Sequence, residues 1–508
     1  MQNSTKNKKG SYTMKKVLLL ALALIMVLSA FVACNPSDDN PVETTKKPSS
    51  NASTPKEQIG NLDPSIDLNE KEISILSRSH QWFADEVSVE KNEGDPIDNA
   101  IYTRNLAVEQ LLNCTIKNYP VLETGIDPDY CVITELQKTQ GPDCPYDILS
   151  ASAYTAFQYT ASGLCLNLRE VNHIDLEQDY WAPYFNDQAS IGGEQYYATG
   201  AISLSLRRMI FVTFFNTKLA EQYRIDNLYD VVKDGNWTLD YQAEILSGVW
   251  SNMDALTGPS EGDFFGLVTG AYTSVDPYWT GCDVNILVKN EEDFFEFEPE
   301  LEKLDAVLKK IKEVYAKSHT WAYDTRNDTD QEMIRTKFAN EEAMMATLRL
   351  IEIETDEIRN MSKYGILPMP KFDQAQKEYY SHAHDQFTVY GIVSSKIEDS
   401  DELGAFLEAM AIESYRTVTP AYFELALKGK YSKDPESWEM LDKIVNNLKI
   451  NGGLLYTLNL NHLSHKLRLS VADNSPTISG TIFNAPMLVV LKNKLKNLQD
   501  SIQKMQDA

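Results

Sequence analysis

The chain has 508 residues, of which 43% are hydrophobic, and a formal net charge of −27 at pH 7. This length predicts two domains or lobes, because one hydrophobic core rarely serves so long a chain. The acidic balance excludes a nucleic-acid partner, which requires a basic footprint, and argues against broad adhesion to anionic lipid.

Residues 14–34 have the layout of a secretion signal. Lys15 and Lys16 precede an apolar run that closes on small residues and Cys34. The ending FVAC resembles a bacterial lipobox, which implies that residues 1–33 are a signal peptide and that Cys34 carries lipid at the extracellular face of the cell membrane. The alternative is a transmembrane anchor, but the run is short for the ~20 residues that span a bilayer.

Residues 34–65 are rich in Ser, Thr, Asn, Pro and Asp and predict a flexible tether. Beyond the tether, strand and helix patterns alternate, which implies an α/β fold with a parallel sheet. The order is strand 73–76, a helix opened by Asp95-Pro96, strand 115–119, helix 130–139 with Asp129 as N-cap, and strand 146–149. Such sheets bind ligands outside the carboxyl ends of their strands.

Three later segments carry an apolar stripe at helical spacing. They are residues 299–315, 401–414 and 486–505. Each is too short for a coiled coil, so the stripes predict helices that pack on a core.

The segment 215–240 has Phe215-Asn216 at a strand end and Trp237-Thr238 at the opening of a second helix. In this arrangement it resembles the extracellular solute-binding proteins of family 1, the maltose-binding type. Further segments that match the family follow its order along the chain: 146–149 (YDIL), 163–168 (GLCLNL), 338–345 (FANEEAMM, with Glu341 where Gly is usual), 364–370 (YGILPMP) and 391–407.

The resemblance implies a two-lobed periplasmic-binding-protein-like fold of type II, with parallel-sheet lobes joined by crossing strands. The N-lobe is expected at 66–209 plus 392–431, and the C-lobe at 212–388 plus 435–508. The crossings are expected near 207–215, 388–392 and 431–435. Such lobes close around a ligand by hinge motion.

Ligand-binding residues are expected just beyond strand ends, facing the cleft. Aromatic rings suit the apolar faces of sugars, while polar and charged side chains suit hydroxyls. The candidates are His80, Trp82, Tyr154, Arg207, Arg208, Tyr278, Trp279, Arg349 and His384. Each has a structural alternative, because aromatic rings also fill lobe cores and arginines also pair with the many acids.

No metal site and no cofactor are predicted. His382 and His384 could share a metal if they lie on a strand, but two further ligands have no recognisable spacing. A polar position at the cleft edge is the preferred interpretation of this His-Ala-His-Asp segment. The acids between Asp324 and Asp330 lack the Gly and terminal Glu of a calcium loop, so they predict a solvated turn.

Five cysteines remain if Cys34 is lipidated: 114, 131, 144, 165 and 282. Cys131 and Cys144 could close a short loop, but sequence does not give their distance. Buried free thiols are at least as compatible with the pattern.

The resemblance implies a monomeric, lipid-anchored component of an ABC importer, without enzymatic activity. It would capture a small-molecule ligand, expected to be an oligosaccharide, and deliver it to the permease subunits. Two alternatives stay open. A surface sensor or adhesion lipoprotein could use the same fold without transport, since fold does not fix function. A lipoprotein hydrolase would have to turn over a bound glycan.

Overall fold

The structure is a computed structural model that describes residues 62, 65–92, 94–121, 128–225, 227–323, 328–424, 427 and 435–507. The predicted signal peptide, Cys34, nearly all of the tether and the third crossing before Pro435 lie outside these residues. Within them, none of the helices is long and apolar enough to cross a membrane.

The strands of the described ranges form two main sheets and one hairpin. In chain order they are β1 (Lys71–Arg78), β2 (Cys114–Val121), β3 (Ile148–Ser152), β4 (Phe211–Asn216), β5 (Phe265–Gly270), β6 (Leu287–Lys289), β7 (Phe295–Phe297), β8 (Trp321–Tyr323), β9 (Ala343–Arg349), β10 (Tyr364–Leu367) and β11 (Thr388–Ile392).

The α-helices cover the sheets and build the carboxyl-terminal region. In chain order they are α1 (Gln81–Val87), α2 (Pro96–Leu112), α3 (Pro128–Thr139), α4 (Ala153–Ala156), α5 (Pro183–Ala189), α6 (Leu204–Arg208), α7 (Thr217–Gln222), α8 (Leu228–Lys233), α9 (Leu239–Ile245), α10 (Asp276–Gly281), α11 (Leu301–Lys317), α12 (Asp328–Ala339), α13 (Asp356–Asn360), α14 (Ser400–Glu413), α15 (Pro435–Asn446), α16 (Gly452–Leu455), α17 (Leu463–Ala472), α18 (Ile478–Thr481) and α19 (Ala485–Gln506).

The N-lobe sheet has the order β11-β3-β1-β2, with β1 parallel to β2 and β3 and with β11 antiparallel to β3. The last six residues of β1 are buried, as the apolar run predicted. Asp95 caps α2 by accepting the N–H groups of Ile97 and Asp98, and Pro96 occupies the first turn. This is the helix start that the sequence predicted.

The C-lobe sheet has the order β10-β4-β9-β5-β8. Strand β9 is parallel to β5 and antiparallel to β4. The segment that carries the strongest resemblance builds this lobe. Asn216 ends β4 and caps α7 through Leu219 N–H, and Thr238 caps α9 through Tyr241 N–H. Trp237 is fully buried and donates to the Pro368 carbonyl at 2.9 Å.

Two crossing segments run side by side between the lobes. Ile210 forms a bridge with Ala383, and His384 N–H donates to the Met209 carbonyl at 2.9 Å. Strand β11 pairs along its whole length with β3 of the N-lobe. The second crossing therefore precedes β11 and does not coincide with it, and the N-lobe includes the strand from Thr388 onward.

Three local predictions differ from the structure. Helix α3 begins at Pro128, so Asp129 lies inside its first turn instead of capping it. Strand β3 begins at Ile148, two residues later than predicted, because Tyr146 and Asp147 approach it as coil. Residues 276–279, which include the predicted site residues Tyr278 and Trp279, form the start of α10 instead of a segment that faces the cleft.

The cysteines of the described ranges are thiols buried in the lobes: 114, 131, 144, 165 and 282. The loop between Cys131 and Cys144 is thus not closed by a disulfide. Burial raises the pKa of the Cys114 thiol to about 12, which keeps it protonated and unreactive at neutral pH.

Candidate functional site

The two main sheets face each other across the crossing segments with the edges at which β1, β3 and β9 end. On the N-lobe, β1 and β3 end at Arg78 and Ser152, and antiparallel β11 starts beside them at Thr388. On the C-lobe, β9 ends at Arg349, which pairs with Phe211 at the start of β4. Side chains just beyond these ends lie between the lobes, where open α/β sheets hold their ligands.

A cavity of about 480 Å³ opens between the lobes at this edge. It combines one large aromatic side chain with many charged ones, and such a lining suits a ligand that has apolar faces and many hydroxyls. The lining residues are Trp82, Asp85, Asp95, Ile97, Asp98, Ile101, Arg208, Ile351, Glu354, Thr355, Asp356 and Arg359.

Both arginines of this cavity engage carboxylates. Arg208 donates to the two carboxylate oxygens of Glu354 at 2.9 Å each, which joins the first crossing to the C-lobe. Burial alone would lower the pKa of Arg208, but Glu354 outweighs burial and raises it. Arg359 pairs with Asp356. Burial raises the pKa of Asp85, and the nearby carboxylate of Asp98 raises it further.

Trp82 and Arg349 meet across the cleft. The Arg349 guanidinium lies 5.9 Å from the centre of the Trp82 ring, within the range of cation–π attraction. Arg349 is buried and donates to Glu352 at 3.1 Å. His80 accepts the Trp82 N–H at 3.3 Å, and its ring lies edge-on to the indole at 4.7 Å. His80 thus positions Trp82 and does not line the cavity.

A second polar cluster surrounds Asp385 on the second crossing. Its backbone carbonyl accepts the N–H of Tyr154 at 2.8 Å. Its carboxylate lies 3.7 Å from Arg468 Nη2 and 3.6 Å from His384 Nε2. Arg468 on α17 is buried and donates through Nε to both oxygens of Asp276, at 2.9 and 3.0 Å. This cluster joins the N-lobe, the crossing and the C-lobe.

Two half-buried C-lobe side chains border the Asp385 cluster. The Tyr272 hydroxyl is hydrogen-bonded to the His465 ring. The Arg468 guanidinium lies 4.9 Å from the centre of the Tyr272 ring. The cluster therefore places the aromatic ring of Tyr272 beside the charged groups of Arg468 and Asp385.

The two histidines of the second crossing are buried and neutral. Burial lowers the pKa of His382 to about 3, and Arg468 adds to the effect. Burial also holds the pKa of His384 well below its ordinary value, with further contributions from Arg349 and Arg468. His382 shares a hydrogen bond of 3.1 Å with the Thr280 hydroxyl. A neutral imidazole ring can either donate or accept a hydrogen bond.

Three predicted site residues lie elsewhere in the structure. Tyr278 and Trp279 are on α10 with no exposed surface, and the Tyr278 hydroxyl is 3.3 Å from that of Thr347. They belong to the C-lobe core, because the segment is a helix packed on the sheet. Arg207 does not line the cavity. Its guanidinium donates to the Gly200 carbonyl at 3.5 Å and has tyrosines 184, 415 and 422 as neighbours.

Sequence reasoning missed several residues that the structure brings into the cleft. Asp385 ends the His-Ala-His-Asp segment, in which only the two histidines were considered as ligands. Arg468 lies in the last sixty residues, where the resemblance is least clear. Its partner Asp276 opens the segment that was noted for its aromatic residues. Only an opposite charge in a distant part of the chain could have suggested this pair, and so acidic a chain offers many such pairs.

The described residues show neither a metal site nor a nucleophile elbow. Among them, no three His, Cys, Asp or Glu side chains lie close enough to hold a metal ion. Of the acidic segment that was predicted to be a solvated turn, residues 324–327 lie outside the described ranges, and residues 328–330 belong to the first turn of α12. A G-x-S-x-G pattern occurs at 258–262, but this stretch is a surface loop that precedes β5. A nucleophile elbow requires a strand-to-helix turn.

No protein-family model matches the sequence, and no curated protein sequence matches it. Solved structures do match. The galacto-N-biose-/lacto-N-biose I-binding protein of the ABC transporter from Bifidobacterium longum, in complex with lacto-N-biose, is 9% identical with a TM-score of 0.54, covering 85% of this chain and 98% of its own.

Two further structures give the same result. A cyclo/maltodextrin-binding protein complexed with maltotetraose is 11% identical with a TM-score of 0.51, covering 86% of this chain and 98% of its own. A family 1 extracellular solute-binding protein from Bifidobacterium longum subsp. infantis is 12% identical with a TM-score of 0.51, covering 86% of this chain and 100% of its own. These likenesses confirm the two-lobed periplasmic-binding-protein-like fold.

Proposed function

Because the chain has the two-lobed fold of the solute-binding proteins, we propose that it captures a carbohydrate, and specifically an oligosaccharide, between its lobes. The observation that carries this proposal is the interlobe cleft itself. Trp82 supplies aromatic surface from the N-lobe, and Arg349, Asp385 and Arg468 supply charged hydrogen-bonding groups from the crossing and the C-lobe. Two of the similar structures hold lacto-N-biose and maltotetraose.

The cleft chemistry suits binding without covalent change. Its main charged groups are already engaged in ion pairs: Arg208 with Glu354, and Arg468 with Asp276. Such pairs hold their side chains in fixed positions, so little rearrangement is needed when a hydroxyl group replaces water. No catalytic role and no cofactor form part of the proposal.

Delivery to an ABC permease is the second part of the proposal. One similar structure is the binding protein of an ABC transporter. The sequence adds a stretch with the layout of a secretion signal that ends in Cys34, followed by polar residues that predict a tether. We therefore place the protein as a lipid-anchored monomer on the extracellular face of the cell membrane, where the tether lets the lobes reach the permease.

A thermal-shift screen tests the binding proposal directly. Neutral and acidic oligosaccharides, peptides, polyamines and divalent metals are added one at a time to the purified protein. A ligand stabilises the folded state by roughly RT ln(1 + [L]/Kd), so a tight binder raises the Tm visibly. We expect a shift with one class of glycan, and the same glycan should shift the Tyr223→Ala control, whose exposed ring lies outside the cleft. A shift only with peptides or metals would contradict the proposal.

A further inference from the structure

The lobes touch at a second place, away from the crossing segments. Residues 190–194 of the N-lobe lie against the β6–β7 hairpin, residues 287–297 of the C-lobe, and we call this contact the interlobe joint. Gly192 N–H donates to the Asp293 carbonyl at 2.9 Å, and Gly193 N–H donates to the Asp293 carboxylate at 3.0 Å. Lys289 donates to Ser190 Oγ at 2.7 Å and to Asp293 at 2.5 Å.

Backbone conformation and shape adapt the N-lobe loop to this contact. Gly192 has a φ of 61°, and a Cβ there would lie 2.6 Å from the Phe294 ring of the hairpin. Helix α19 also contacts this loop. Gln506 donates to the Gly192 carbonyl and to the Glu194 carboxylate at 2.9 Å each. The loop is thus held by two separate C-lobe elements.

An aromatic contact continues the joint inward. Tyr456 of the C-lobe lies 5.1 Å from Phe157 of the N-lobe and 5.7 Å from Phe295 of the hairpin, measured between ring centres. Its hydroxyl donates to the Ala189 carbonyl at 2.7 Å. Tyr456, Phe157 and Phe295 are buried. Separating the lobes here would expose this apolar surface to water, which opposes the motion.

The opposite side of the cleft is built differently. There the lobes are separated by the cavity lined by Trp82, and the contacts across it include the Arg208–Glu354 ion pair and the approach of Arg349 to Trp82. The walls of this cavity are not packed against each other, so parting them exposes less apolar surface than opening the joint would. The two sides therefore resist separation unequally.

We propose that the interlobe joint stays closed while the lobes move, so that the cleft opens only on the Trp82 side and ligand enters there. Asp293 is the polar lock of the joint, since it accepts hydrogen bonds from Ser190 and Gly193 of the other lobe. The inference concerns motion of the free protein and does not depend on which ligand binds.

Distances between paired spin labels test the proposal without a ligand. One cysteine pair, Asp187→Cys with Glu291→Cys, spans the joint, and another, Glu90→Cys with Asn360→Cys, spans the cavity side. All four positions are exposed, and the native cysteines of the described ranges are buried. A Cys34→Ala background removes the cysteine outside those ranges. We expect a narrow distance distribution across the joint and a broad one across the cavity.

A lock variant and a matched control complete the experiment. Asp293→Ala should broaden the joint distribution, whereas Asp500→Ala, which removes an exposed ion pair with Lys496 on α19, should leave it narrow. The proposal is overturned if the two pairs have equal widths in the unaltered background, or if Asp293→Ala leaves the joint distribution unchanged.

Discussion

At the scale of single residues, the cleft depends on charges that are buried in pairs. Arg468 and Asp276 are almost fully buried, and Asp385 lies close to the same guanidinium. A buried pair of this kind contributes little net stability compared with apolar residues, but removing one partner leaves the other charge unpaired. The pair therefore fixes the position of Arg468 at the cleft.

Arg468→Met should destabilise the protein because it leaves the Asp276 carboxylate buried without its cation. The expected loss is about 3–5 kcal/mol in the free energy of unfolding, measured by urea denaturation. Lys496→Met removes an exposed ion pair with Asp500 and should change the free energy of unfolding by less than about 1 kcal/mol. Equal effects of the two variants would show that Asp276 does not need its partner.

The buried histidines predict a pH dependence of stability. His382 and His384 stay neutral in the folded state because burial lowers the pKa of each, whereas in the unfolded chain each titrates near 6.5. As pH falls below about 6.5, the unfolded state takes up protons that the folded state does not, so the free energy of unfolding falls. The slope approaches about 1.4 kcal/mol per pH unit for each histidine once the pH is well below 6.5, and it averages about half of that between pH 7.5 and 5.5.

Urea denaturation between about pH 7.5 and 5.5 measures this slope, above the range where most carboxylates titrate. His384→Gln should remove one of the two titrating groups, so the free energy of unfolding should change with pH about half as steeply. A free energy of unfolding that stays constant over this range would mean that the histidines titrate in the folded state as they do in the unfolded chain.

At the scale of elements, predictions held where local chemistry decides the structure. Asp95 and Thr238 start helices because their side chains accept backbone N–H groups of the first turn, where Pro96 has no N–H that needs a partner. Strand β1 is buried because its residues are mostly apolar. Predictions were wrong where packing decides. An aromatic residue near a strand end fits a cleft or a core equally well, and only the path of α10 places Tyr278 in the core.

Glu341 tests a departure from the family pattern in the turn before β9. The family usually has Gly here, and Glu341 adopts a φ of 60°, a conformation that Gly reaches without strain. Glu341→Gly should relieve strain of about 1–2 kcal/mol but lose the surface pair with Lys218 at 2.6 Å, which is worth less than about 1 kcal/mol.

We therefore expect Glu341→Gly to be neutral or stabilising in thermal denaturation and Glu341→Val to lower the Tm, because a β-branched residue tolerates this φ poorly. Glu341→Ala separates the loss of the ion pair from the backbone effect. The interpretation fails if the Gly variant is the least stable of the three.

At the scale of the whole molecule, the two lobes and their order were predictable from motifs that recur in sequence order, and the similar structures confirm the fold. The lining of the cleft was only partly predictable. Trp82 and Arg208 line the cavity between the lobes and Arg349 approaches Trp82, and a role of these residues in binding stays a prediction. The charged pairs that complete the cleft join residues far apart in the chain, and no local pattern specifies them. Asp276 and Arg468 are 192 positions apart, and Arg208 and Glu354 are 146 positions apart.

The central claim is that a carbohydrate binds between the lobes against Trp82. Isothermal titration calorimetry with the glycan that gives the largest thermal shift measures this, comparing the unaltered protein with Trp82→Ala and with Tyr223→Ala as the aromatic control. We predict that Trp82→Ala weakens binding about tenfold or more, since a truncated aromatic anchor typically costs upwards of about 1.4 kcal/mol, and that Tyr223→Ala binds normally. Equal affinity of all three proteins, or no heat with any glycan, would contradict the account.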